Sequence, residues 1–537
     1  MNEKGYSLVL TLLIITIFFM LGLTILSVSL YQAKFTQTRV EDVTSLHEAT
    51  KAIEETIAEM KVKVENLELS TPLQLDTDLG NSETGFIKQL IDRYGVNIQD
   101  VTLDNNIDRT KLFTRVYLLS KPYGTKTVSR KIIITNTPSF LKYAVGSTED
   151  VVLNGGMYID GNIYAGKNFY VTNVANYIDN SQKYTVQTSF PTTSDKSVLF
   201  VNENRYSCEQ KNGANACYNV ANSRFERILP NYSNDVQFQT KGPSVQKEQS
   251  EFIDVDFDWT FKDKLLNAAG IETFSQAYEN NINLTINELL NSLKGQFATF
   301  DHVPTVDETT DIGNEPILLD SDKISSFFID HGELDLQNNW LIVNGDLYLG
   351  NSINIPVKIR GNILVLGNLM ISGNVQLDST IYALQRTFIY NANISGWNDK
   401  EVVLLSKGPL EIARINEFDN NFPFVDTPNL KGYFYTDSNA VLYAVGSYIN
   451  IKGGLFARGN VNEAVPDGDT SGLVINSYRG PANKQNNAIS LSPPPSLDEK
   501  EQARFVIQHD KSVFIDRGLG LPFVKKLDLI VDELTVK

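Results

Sequence analysis

One short stretch of the chain has three aspartates at alternate positions. Asp254, Asp256 and Asp258 are separated by single apolar residues, and on a β-strand this spacing places all three carboxylates on one face. Calcium binds clusters of carboxylate oxygens, so the stretch is a candidate calcium site. Asp467 and Asp469 form a second, weaker candidate. The alternative for both is a solvated acidic face without a ligand.

The chain contains two cysteines, Cys208 and Cys217. The segment between them includes Asn212-Gly213, a strong tight-turn signal, so the two thiols can meet across a hairpin. Outside the membrane they are expected to form a disulfide, and closing a loop of about ten residues stabilises a fold by about 2–3 kcal/mol. Free thiols are the alternative. Catalytic thiol chemistry is not expected because no histidine lies nearby in sequence.

The other chemistry-bearing residues form no recognisable catalytic or metal-binding pattern. The histidines are scattered, at His47, His302, His331 and His509. The sequence contains no nucleophile elbow, phosphate-binding loop, dinucleotide fingerprint or metalloprotease helix. We therefore predict that the protein is not an enzyme and has no cofactor beyond the candidate calcium. Binding of a polysaccharide or another surface ligand remains open.

Composition limits the class of partner. With 47 Lys and Arg against 64 Asp and Glu, the formal net charge is −17 and the sequence pI is about 4.8. Such a chain lacks the basic surface that binds a phosphate backbone, so nucleic acid is not expected as a partner. At 537 residues the chain is too long for one compact core and is expected to form several folding units.

The N-terminus contains one stretch long enough to cross a membrane. Residues 6–30 carry no charged side chain and are rich in Leu, Ile, Phe and Val. As a helix they would extend about 37 Å, more than the roughly 30 Å of a hydrocarbon core. A cleaved signal peptide has a shorter apolar region and a small-residue cleavage site. The sequence therefore predicts a single transmembrane helix that is retained.

A regular apolar seam follows this span. Its members recur at alternating spacings of three and four, as in a heptad repeat: Val43, Leu46, Thr50, Ile53, Ile57, Met60, Val64 and Leu67. No Gly or Pro interrupts residues 23–71. We predict one helix from about Tyr6 to about Leu69, with residues 31–69 as its amphipathic part. A signal anchor followed by a coiled-coil stalk is one interpretation of this pattern.

The N-terminal residues resemble a known family. Lys4-Gly5-Tyr6-Ser7-Leu8-Val9-Leu10, followed by Leu21-Gly22-Leu23, is similar to the start of type IV pilin-like proteins, specifically the PilX-type minor pilins. Residues 46–54 are more loosely similar to the segment after the membrane span in that group. The resemblance covers about the first 65 residues. It implies that residues 1–5 are a prepilin-like leader, that a peptidase cuts between Gly5 and Tyr6, and that the remaining chain lies outside a bacterial membrane.

Leu10 departs from the major-pilin pattern, which has a glutamate at that position. In the pilin family this glutamate is thought to neutralise the amino terminus of a neighbouring subunit, and an unpaired charge is costly in hydrocarbon. A chain with Leu10 therefore resembles a minor, tip-located or initiating subunit more than the repeating unit of a filament.

The chain after the long helix is predicted to be mainly β. Residues 70–141 combine a short helix at Thr84–Tyr94 with strands at 116–119 and 131–135, which flank Tyr123-Gly124 as a hairpin. We predict a small α+β unit here.

An internal repeat marks the larger part of the chain. Tyr-Ala-Val-Gly-Ser occurs at both 143–147 and 443–447, and each copy is followed by a Gly-Gly to Gly-Asn segment, at 155–162 and 453–460. Short apolar strands between Gly or Asn corners are typical of a parallel β-helix, because these residues adopt φ > 0 most readily.

Six-residue steps at Gly361, Gly367 and Gly373 fit a three-sided β-helix with Asn ladders at its corners. In this region we expect Leu364 and Leu366 to point inward, and Val365 outward. An ordinary β-sandwich with glycine-rich hairpins is the alternative fold.

The repeats define a domain map for the rest of the chain. We predict first rungs at 142–171 and the main β-helix at 339–460. Between them, 172–338 is predicted to be an insertion with the Cys loop and helices, and such insertions often supply a binding surface. Residues 461–537 are predicted to cap or flank the β-helix.

Two functions are compatible with these features. The first is a minor pilin or pseudopilin, a structural or adhesive subunit anchored in a bacterial cell membrane, whose partners are other pilin-like subunits or assembly machinery. The second is a cell-envelope β-helix protein held by an uncleaved anchor, which binds wall polymers or self-assembles without filament machinery. Both place the bulk of the chain outside the membrane.

Overall fold

The computed structural model describes residues 3–69, 71–105, 107–110, 112–211, 215–221, 224–247, 252–273, 275–305, 315–353, 355–420, 427–459, 471–485, 488–494, 502–516, 520–522 and 524–537. The chain divides into two units. Unit 1 comprises Met1–Asn136 and Lys525–Lys537, and unit 2 comprises Thr137–Val524.

The helices in the described chain are α1 Glu3–Glu65, α2 Pro72–Leu79, α3 Gly85–Tyr94, α4 Phe257–Ala268, α5 Gln276–Asn281, α6 Ile286–Leu293 and α7 Val513–Asp516. The strands up to the helical segment are β1 Asn97–Asp100, β2 Arg115–Tyr123, β3 Lys126–Thr135, β4 Val145–Ser147, β5 Asp150–Gly155, β6 Tyr158–Asp160, β7 Ile163–Ala165, β8 Phe169–Thr172, β9 Val174–Asp179, β10 Gln182–Gln187, β11 Thr192–Thr193, β12 Val198–Val201, β13 Arg205–Cys208, β14 Tyr218–Ala221, β15 Arg224–Arg227 and β16 Ser244–Gln246.

The strands after the helical segment are β17 Ala298–Phe300, β18 Ile317–Leu319, β19 Ser326–Ile329, β20 Gly332–Val343, β21 Asp346–Leu349, β22 Val357–Val365, β23 Leu369–Asp378, β24 Thr380–Ala383, β25 Thr387–Gly396, β26 Val402–Ser406, β27 Leu410–Ala413, β28 Leu430–Thr436, β29 Ala440–Ala444, β30 Ile449–Ala457, β31 Gly472–Ser477, β32 Ala482–Gln485, β33 Ala488–Leu491, β34 Phe505–Gln508 and β35 Asp528–Val536. The fold is therefore mainly β with a long N-terminal helix, as predicted.

Unit 1 is a helix packed on an antiparallel sheet. The sheet has the order β1-β2-β3-β35, and α1 packs on β2, β3 and β35. The predicted hairpin is present, with Tyr123 paired to Lys126. The predicted short helix is α3, which follows Thr84 and ends before Gly95 in the left-handed conformation.

Two parts of unit 1 were not predicted. Helix α2 begins at Pro72 after Thr71, whose hydroxyl accepts a hydrogen bond from the Gln74 N–H. Thr-Pro is a recognisable helix start. The second is β35, which was expected to cap or flank the β-helix and instead completes the sheet of unit 1. Unit 2 is thus inserted in sequence between two neighbouring strands, β3 and β35.

Unit 2 is a parallel β-helix, as predicted. Most of its strands stack in three parallel sheets, and β9–β10, β14–β15 and β32–β33 form separate antiparallel pairs. Sheet A contains β17, β18, β24, β26, β4, β7, β12, β16 and the later parts of β20, β22, β28 and β30. Sheet B contains β19, β21, β27, β29, β31, β5, β8, β13 and the early parts of β23 and β25. Sheet C contains β34, β6, β11, the early parts of β20, β22, β28 and β30, and the later parts of β23 and β25.

The six-residue steps correspond to one side of a rung. Ile363 pairs with Ile381, and Leu369 pairs with Thr387, which is three such steps in each case. Gly373 has φ +69°, as a corner requires. Gly367 is needed for a different reason, because a Cβ there would lie 2.6 Å from the backbone of Gly345 on the neighbouring rung.

The repeat copies occupy different sides of the solenoid. The first copy places Val145 on sheet A, whereas the second places Tyr443 on sheet B. The Gly-Gly segments likewise place Ile159 on sheet C and Leu455 on sheet A. The repeated sequence therefore begins a strand in one copy and ends a strand in the other, and it does not fix a position in the rung.

The order of the rungs in space differs from their order in sequence. The chain enters the solenoid at β4, and the late strand β30 stacks directly on it. From β4 the rungs continue through β7 and β12 to β16 at one end. The chain then passes through residues 252–297, here called the crossover, and resumes at β17 at the opposite end of sheet A.

This arrangement corrects two boundaries. The region 172–338 is not one insertion between adjacent rungs, because it contributes β11 to β13 and β16 at one end and β17 to β19 at the other. The region 461–537 is not only a cap, since β31 and β34 are rungs of the solenoid. Chain segments far apart in sequence share rungs, so a linear map could not identify them.

The central strands of sheet A, from β22 to β28, are buried on both faces. Ile363 and Val365 belong to the inner core, while Leu364 points outward and is also fully buried. The expected orientation of Leu364 and Val365 is therefore reversed, and Leu366 is only partly buried at the following corner. The crossover covers the outer face, where Phe257 contacts the ring of Tyr382.

Candidate functional site

The first half of α1 is apolar and exposed. An 18-residue window in this helix has a mean hydropathy of 2.8 and no buried residue. Three of its hydroxyls, those of Thr16, Thr24 and Ser27, donate within the helix to the carbonyls of Leu12, Met20 and Leu23. Hydroxyls bonded within their own helix suit a hydrocarbon solvent. By length and composition, α1 is a candidate membrane-spanning helix.

The residues of the resemblance lie at the start of this helix. Gly5 and Tyr6 are within α1, although the side chain of Tyr6 is outside the described part of the structure. Leu10 is 51% exposed. It therefore presents an apolar side chain where the major-pilin pattern has a carboxylate.

The second half of α1 packs against its own sheet. Ile53, Met60 and Val64 are fully buried, whereas Val43 is 60% exposed. At the edges of this contact Glu54 pairs with Arg130, and Glu59 accepts two hydrogen bonds from Arg93, at 2.5 and 2.7 Å.

The predicted continuous helix is confirmed, and it ends at Glu65 rather than near Leu69. From Ile53 onward the seam is occupied by the sheet of unit 1. This part of the helix therefore does not offer its seam to a coiled-coil partner.

The predicted disulfide is present between Cys208 and Cys217. Both cysteines are fully buried and pack with Val174 and Phe225. Cys208 ends β13, so the bond attaches the hairpin β14–β15 to a rung of the solenoid. The predicted Asn-Gly turn at 212–213 lies outside the described residues.

An asparagine ladder lies beneath this hairpin. Asn154 donates from Nδ2 to Oδ1 of Asn476 on the adjacent rung, at 2.9 Å, and its own Oδ1 accepts from the Tyr218 hydroxyl at 3.1 Å. Both asparagines are fully buried. One stacked asparagine pair is thus present within β5 and β31 rather than at a corner, and it also holds the disulfide-bonded segment to the solenoid.

The three aspartates do not form the expected strand face. Asp256 caps α4 by accepting a hydrogen bond from the Trp259 N–H, at 3.0 Å. Residues 252–256 before the helix have no strand assignment. The alternating acidic and apolar residues form an extended segment that leads into a helix, not a strand. An extended segment and a strand have similar local periodicity, so the sequence pattern fits either one.

Each of the other two carboxylates pairs with a cation on a solenoid corner. Asp254 contacts Arg458 at 2.8 Å and Asp258 contacts Lys407 at 2.7 Å. Arg458 also contacts Asp437 at 3.0 Å. These corner residues stand on successive rungs, because Asp437 follows β28, Arg458 follows β30 and Lys407 follows β26.

A cleft of about 450 Å³ lies among these residues. Burial raises the pKa of Asp254 above its ordinary value, and the Arg458 guanidinium opposes that rise. Within the described residues no group of three or more His, Cys, Asp or Glu side chains is placed to hold a metal. Asp467 and Asp469, the second calcium candidate, lie outside the described residues. The cleft is best described as an ionic attachment of the crossover to the solenoid.

The histidines are separated in the structure as in the sequence. His302 and His331 are exposed beside Asp301 and Asp330. His509 is only partly buried as a whole, and its Nε2 lies 2.9 Å from the carbonyl oxygen of Leu141. Burial lowers the pKa of His509 to about 4. This histidine is a neutral structural group at physiological pH, which its sequence context did not indicate.

No known protein family and no curated protein matches the chain. Among solved structures, the crystal structure of the competence-associated pilin ComZ from Thermus thermophilus is found at 10% sequence identity and a TM-score of 0.27, covering 92% of this chain and 97% of that one. This TM-score is too low to establish a shared fold.

Proposed function

We propose that this protein is a membrane-anchored, pilin-like subunit that displays a β-helix outside a bacterial membrane. One observation carries the proposal. A single unbroken helix, α1, is exposed and apolar over its first half and packed on its own sheet over its second half.

The two halves of α1 require different surroundings. Burying one large apolar side chain stabilises by about 1.5–3 kcal/mol, and the side chains of the second half are buried within unit 1. The first half exposes a continuous series, including Leu13, Ile17 and Phe18 at 52%, 49% and 70%. Such a surface is unfavourable in water, so a lipid bilayer or other apolar helices must cover it.

The resemblance at Gly5 and Tyr6 supports the pilin-like interpretation of this anchor. Leu10 supports a minor or initiating role within it, because no carboxylate is available at that position to pair with a neighbouring amino terminus. The solenoid would be the displayed part, with a structural or adhesive role toward a cell-wall or surface ligand and no catalytic activity.

A tether without filament machinery is the second candidate, and Leu10 also favours it. In that case α1 remains an uncleaved signal anchor, and the β-helix binds wall polymers directly. The two candidates share the membrane span and differ in the processing of residues 1–5.

Sequencing the mature N-terminus separates these candidates. In cells with an active prepilin peptidase, we expect the protein to begin at Tyr6. Gly5→Val should prevent this cleavage. Gly22→Ala is a matched control, because a Cβ at Gly22 has no neighbour within 4 Å. Recovery of Met1 or Asn2 from the unmodified chain would favour the tether.

A further inference from the structure

The cleft between the crossover and the solenoid is larger than its ion pairs require. Its volume of about 450 Å³ lies within the roughly 300–1,000 Å³ of small-ligand sites. Residues 254–258 form one wall, and Lys407, Asp437 and Arg458 form the other. The ion pairs described above hold these two walls in place, and the space between the walls is available to a ligand.

The solenoid wall of the cleft is a row of side chains along one corner. The last residues of β26, β28 and β30 are paired with one another. The residues that follow them, Lys407, Asp437 and Arg458, therefore stand on three successive rungs. Neighbouring strands lie about 4.8 Å apart, so the row extends about 10 Å along the solenoid. A row of this kind suits an extended chain molecule.

Both walls offer polar atoms that the protein does not use. Asp437 Oδ1 accepts from the Tyr435 hydroxyl and the Arg458 guanidinium, at 3.1 and 3.0 Å, and Asp256 Oδ1 caps α4. In the described part of the chain, nothing bonds to Oδ2 of either aspartate or to Nη2 of Arg458. The cleft therefore offers two acceptors and one donor.

Charge and geometry exclude three classes of ligand. Four aspartates and two cations line the cleft, so it carries a formal charge of −2 and repels anions. Among the described residues, no three acidic side chains are placed to hold a metal ion. The strands at this corner are already paired with one another, so they offer a peptide no open strand edge.

The unused atoms fit hydroxyl groups. A hydroxyl donates and accepts at the same time, whereas an ammonium group only donates. One hydroxyl can therefore bond to Asp437 Oδ2 and Arg458 Nη2 together, while an ammonium group would be repelled by the guanidinium. Val255 and Phe257 line the same cleft and are 2% and 3% exposed. They add an apolar surface against which the carbon–hydrogen face of a sugar ring can pack.

We propose that the cleft binds an uncharged oligosaccharide chain. A sugar chain combines hydroxyl groups with apolar ring faces and extends along the row of corner residues. This inference rests on the proposed function, because it names the ligand class that the displayed solenoid contacts.

Calorimetric titration of the full chain in lipid nanodiscs tests the proposal. Nanodiscs avoid sugar-based detergents, whose head groups would compete. The uncharged probes are tetrasaccharides of glucose, mannose and N-acetylglucosamine. The charged probes are a tetramer of galacturonic acid and the deacetylated glucosamine tetramer. We expect at least one uncharged probe to bind at least about tenfold more tightly than either charged probe. Binding of none of the uncharged probes, or tighter binding of a charged one, would overturn the proposal.

One substitution locates the binding in the cleft. Asp437→Asn keeps Oδ1 and replaces Oδ2 with an amide that cannot accept, so affinity should fall at least about tenfold, as expected for a lost hydrogen bond to a charged group. Asp335→Asn is the control, because Asp335 pairs with Arg360 at 2.7 Å on another side of the solenoid. Equal affinities for these two variants would contradict a site at Asp437.

Hydrogen exchange of the unmodified chain gives a test that does not depend on how a variant folds. A saturating concentration of the bound tetrasaccharide should slow exchange at least about twofold in peptides that contain residues 254–258. Peptides that contain residues 357–360 of sheet C should not change. Protection confined to other parts of the chain would place the sugar elsewhere and refute the proposal.

Membrane extraction separates this inference from the proposed function. A chain that stays in the membrane and binds no uncharged tetrasaccharide refutes the cleft as a site and leaves the anchor intact. A chain that is washed from the membrane contradicts the anchor, and the same titration in a sugar-free detergent still decides whether the cleft binds the oligosaccharide.

Discussion

Two apolar regions of this chain have opposite surroundings. In the solenoid, Ile363 and Ile381 are completely buried by neighbouring rungs. In the first half of α1, the large apolar side chains from Leu8 to Leu30 are 43–72% exposed. Both regions use the same residue types. An apolar sequence therefore shows only that its side chains avoid contact with water. The structure shows whether the protein itself covers them or whether another medium, such as a lipid bilayer, must do so.

A charge placed in the solenoid should have the largest effect on stability. We expect Ile363→Asp to destabilise unit 2 by about 3–5 kcal/mol, because it leaves an unpaired charge in the core. Leu364→Asp should be nearly as harmful, since the outer face of sheet A is also buried. Urea unfolding and limited proteolysis measure both effects.

Gln376→Asp is the control for this pair. Gln376 is partly exposed on the outer face of sheet C, so its substitution should change stability by less than about 0.5 kcal/mol. If Leu364→Asp behaved like Gln376→Asp, the crossover would not cover sheet A.

The same substitution in the second half of α1 should affect unit 1. Met60 is fully buried and Val62 is 61% exposed two residues later. Met60→Asp should lower the free energy of unfolding by about 3–4 kcal/mol. Val62→Asp, on the opposite face, should have little effect. Urea unfolding measures both variants. If Met60→Asp and Val62→Asp destabilised unit 1 equally, α1 would not pack on the sheet as described.

His509 extends the comparison to a charge introduced by pH. Its pKa is about 4 in the folded protein against an ordinary 6.5. The stabilising contribution of the neutral His509 side chain is fully present above pH 6.5. It is lost as the pH falls toward 4, because in this range the histidine binds a proton in the unfolded chain but not in the folded protein. The free energy of unfolding should therefore fall by about 3 kcal/mol as the pH approaches 4.

His509→Gln keeps a donor for the Leu141 carbonyl and should remove this pH dependence. His331→Gln, at an exposed site, is the control. Urea unfolding at pH 7 and pH 4.5 gives the comparison, and an unchanged pH dependence in His509→Gln would assign the effect to other groups.

The disulfide should contribute a smaller amount. The bond joins residues nine apart in sequence, and a loop of that size stabilises by about 2–3 kcal/mol. Replacing both cysteines with alanine should lower the thermal midpoint of unit 2 and leave unit 1 unchanged. Loss of all structure in unit 2 would mean that the hairpin is required for the rungs to form.

Local signals in the sequence predicted much of this fold. The uncharged span, the seam around Ile53 and Met60, and the Gly373 corner each reflect one periodicity or one backbone conformation. The disulfide was predicted from the turn between the cysteines.

The parts that were missed depend on contacts distant in sequence. β35 completes a sheet begun at β1, and β30 stacks on β4, so neither position follows from local pattern. Leu364 faces outward and is still fully buried, so the apolar run of a single strand does not reveal which of its side chains point inward. The three aspartates were misplaced because alternation around Asp256 fits both a strand and an extended helix entry.

Membrane integration tests the central claim most directly. Membranes from cells that express the full chain are washed with alkaline carbonate, alongside a variant with Ile14→Lys and Phe18→Lys in the span. Each lysine near the membrane centre opposes insertion by about 2.5–3.5 kcal/mol. We predict that the unmodified chain stays in the membrane pellet and the variant moves to the supernatant, with both units still folded. Release of the unmodified chain into the supernatant would contradict the account.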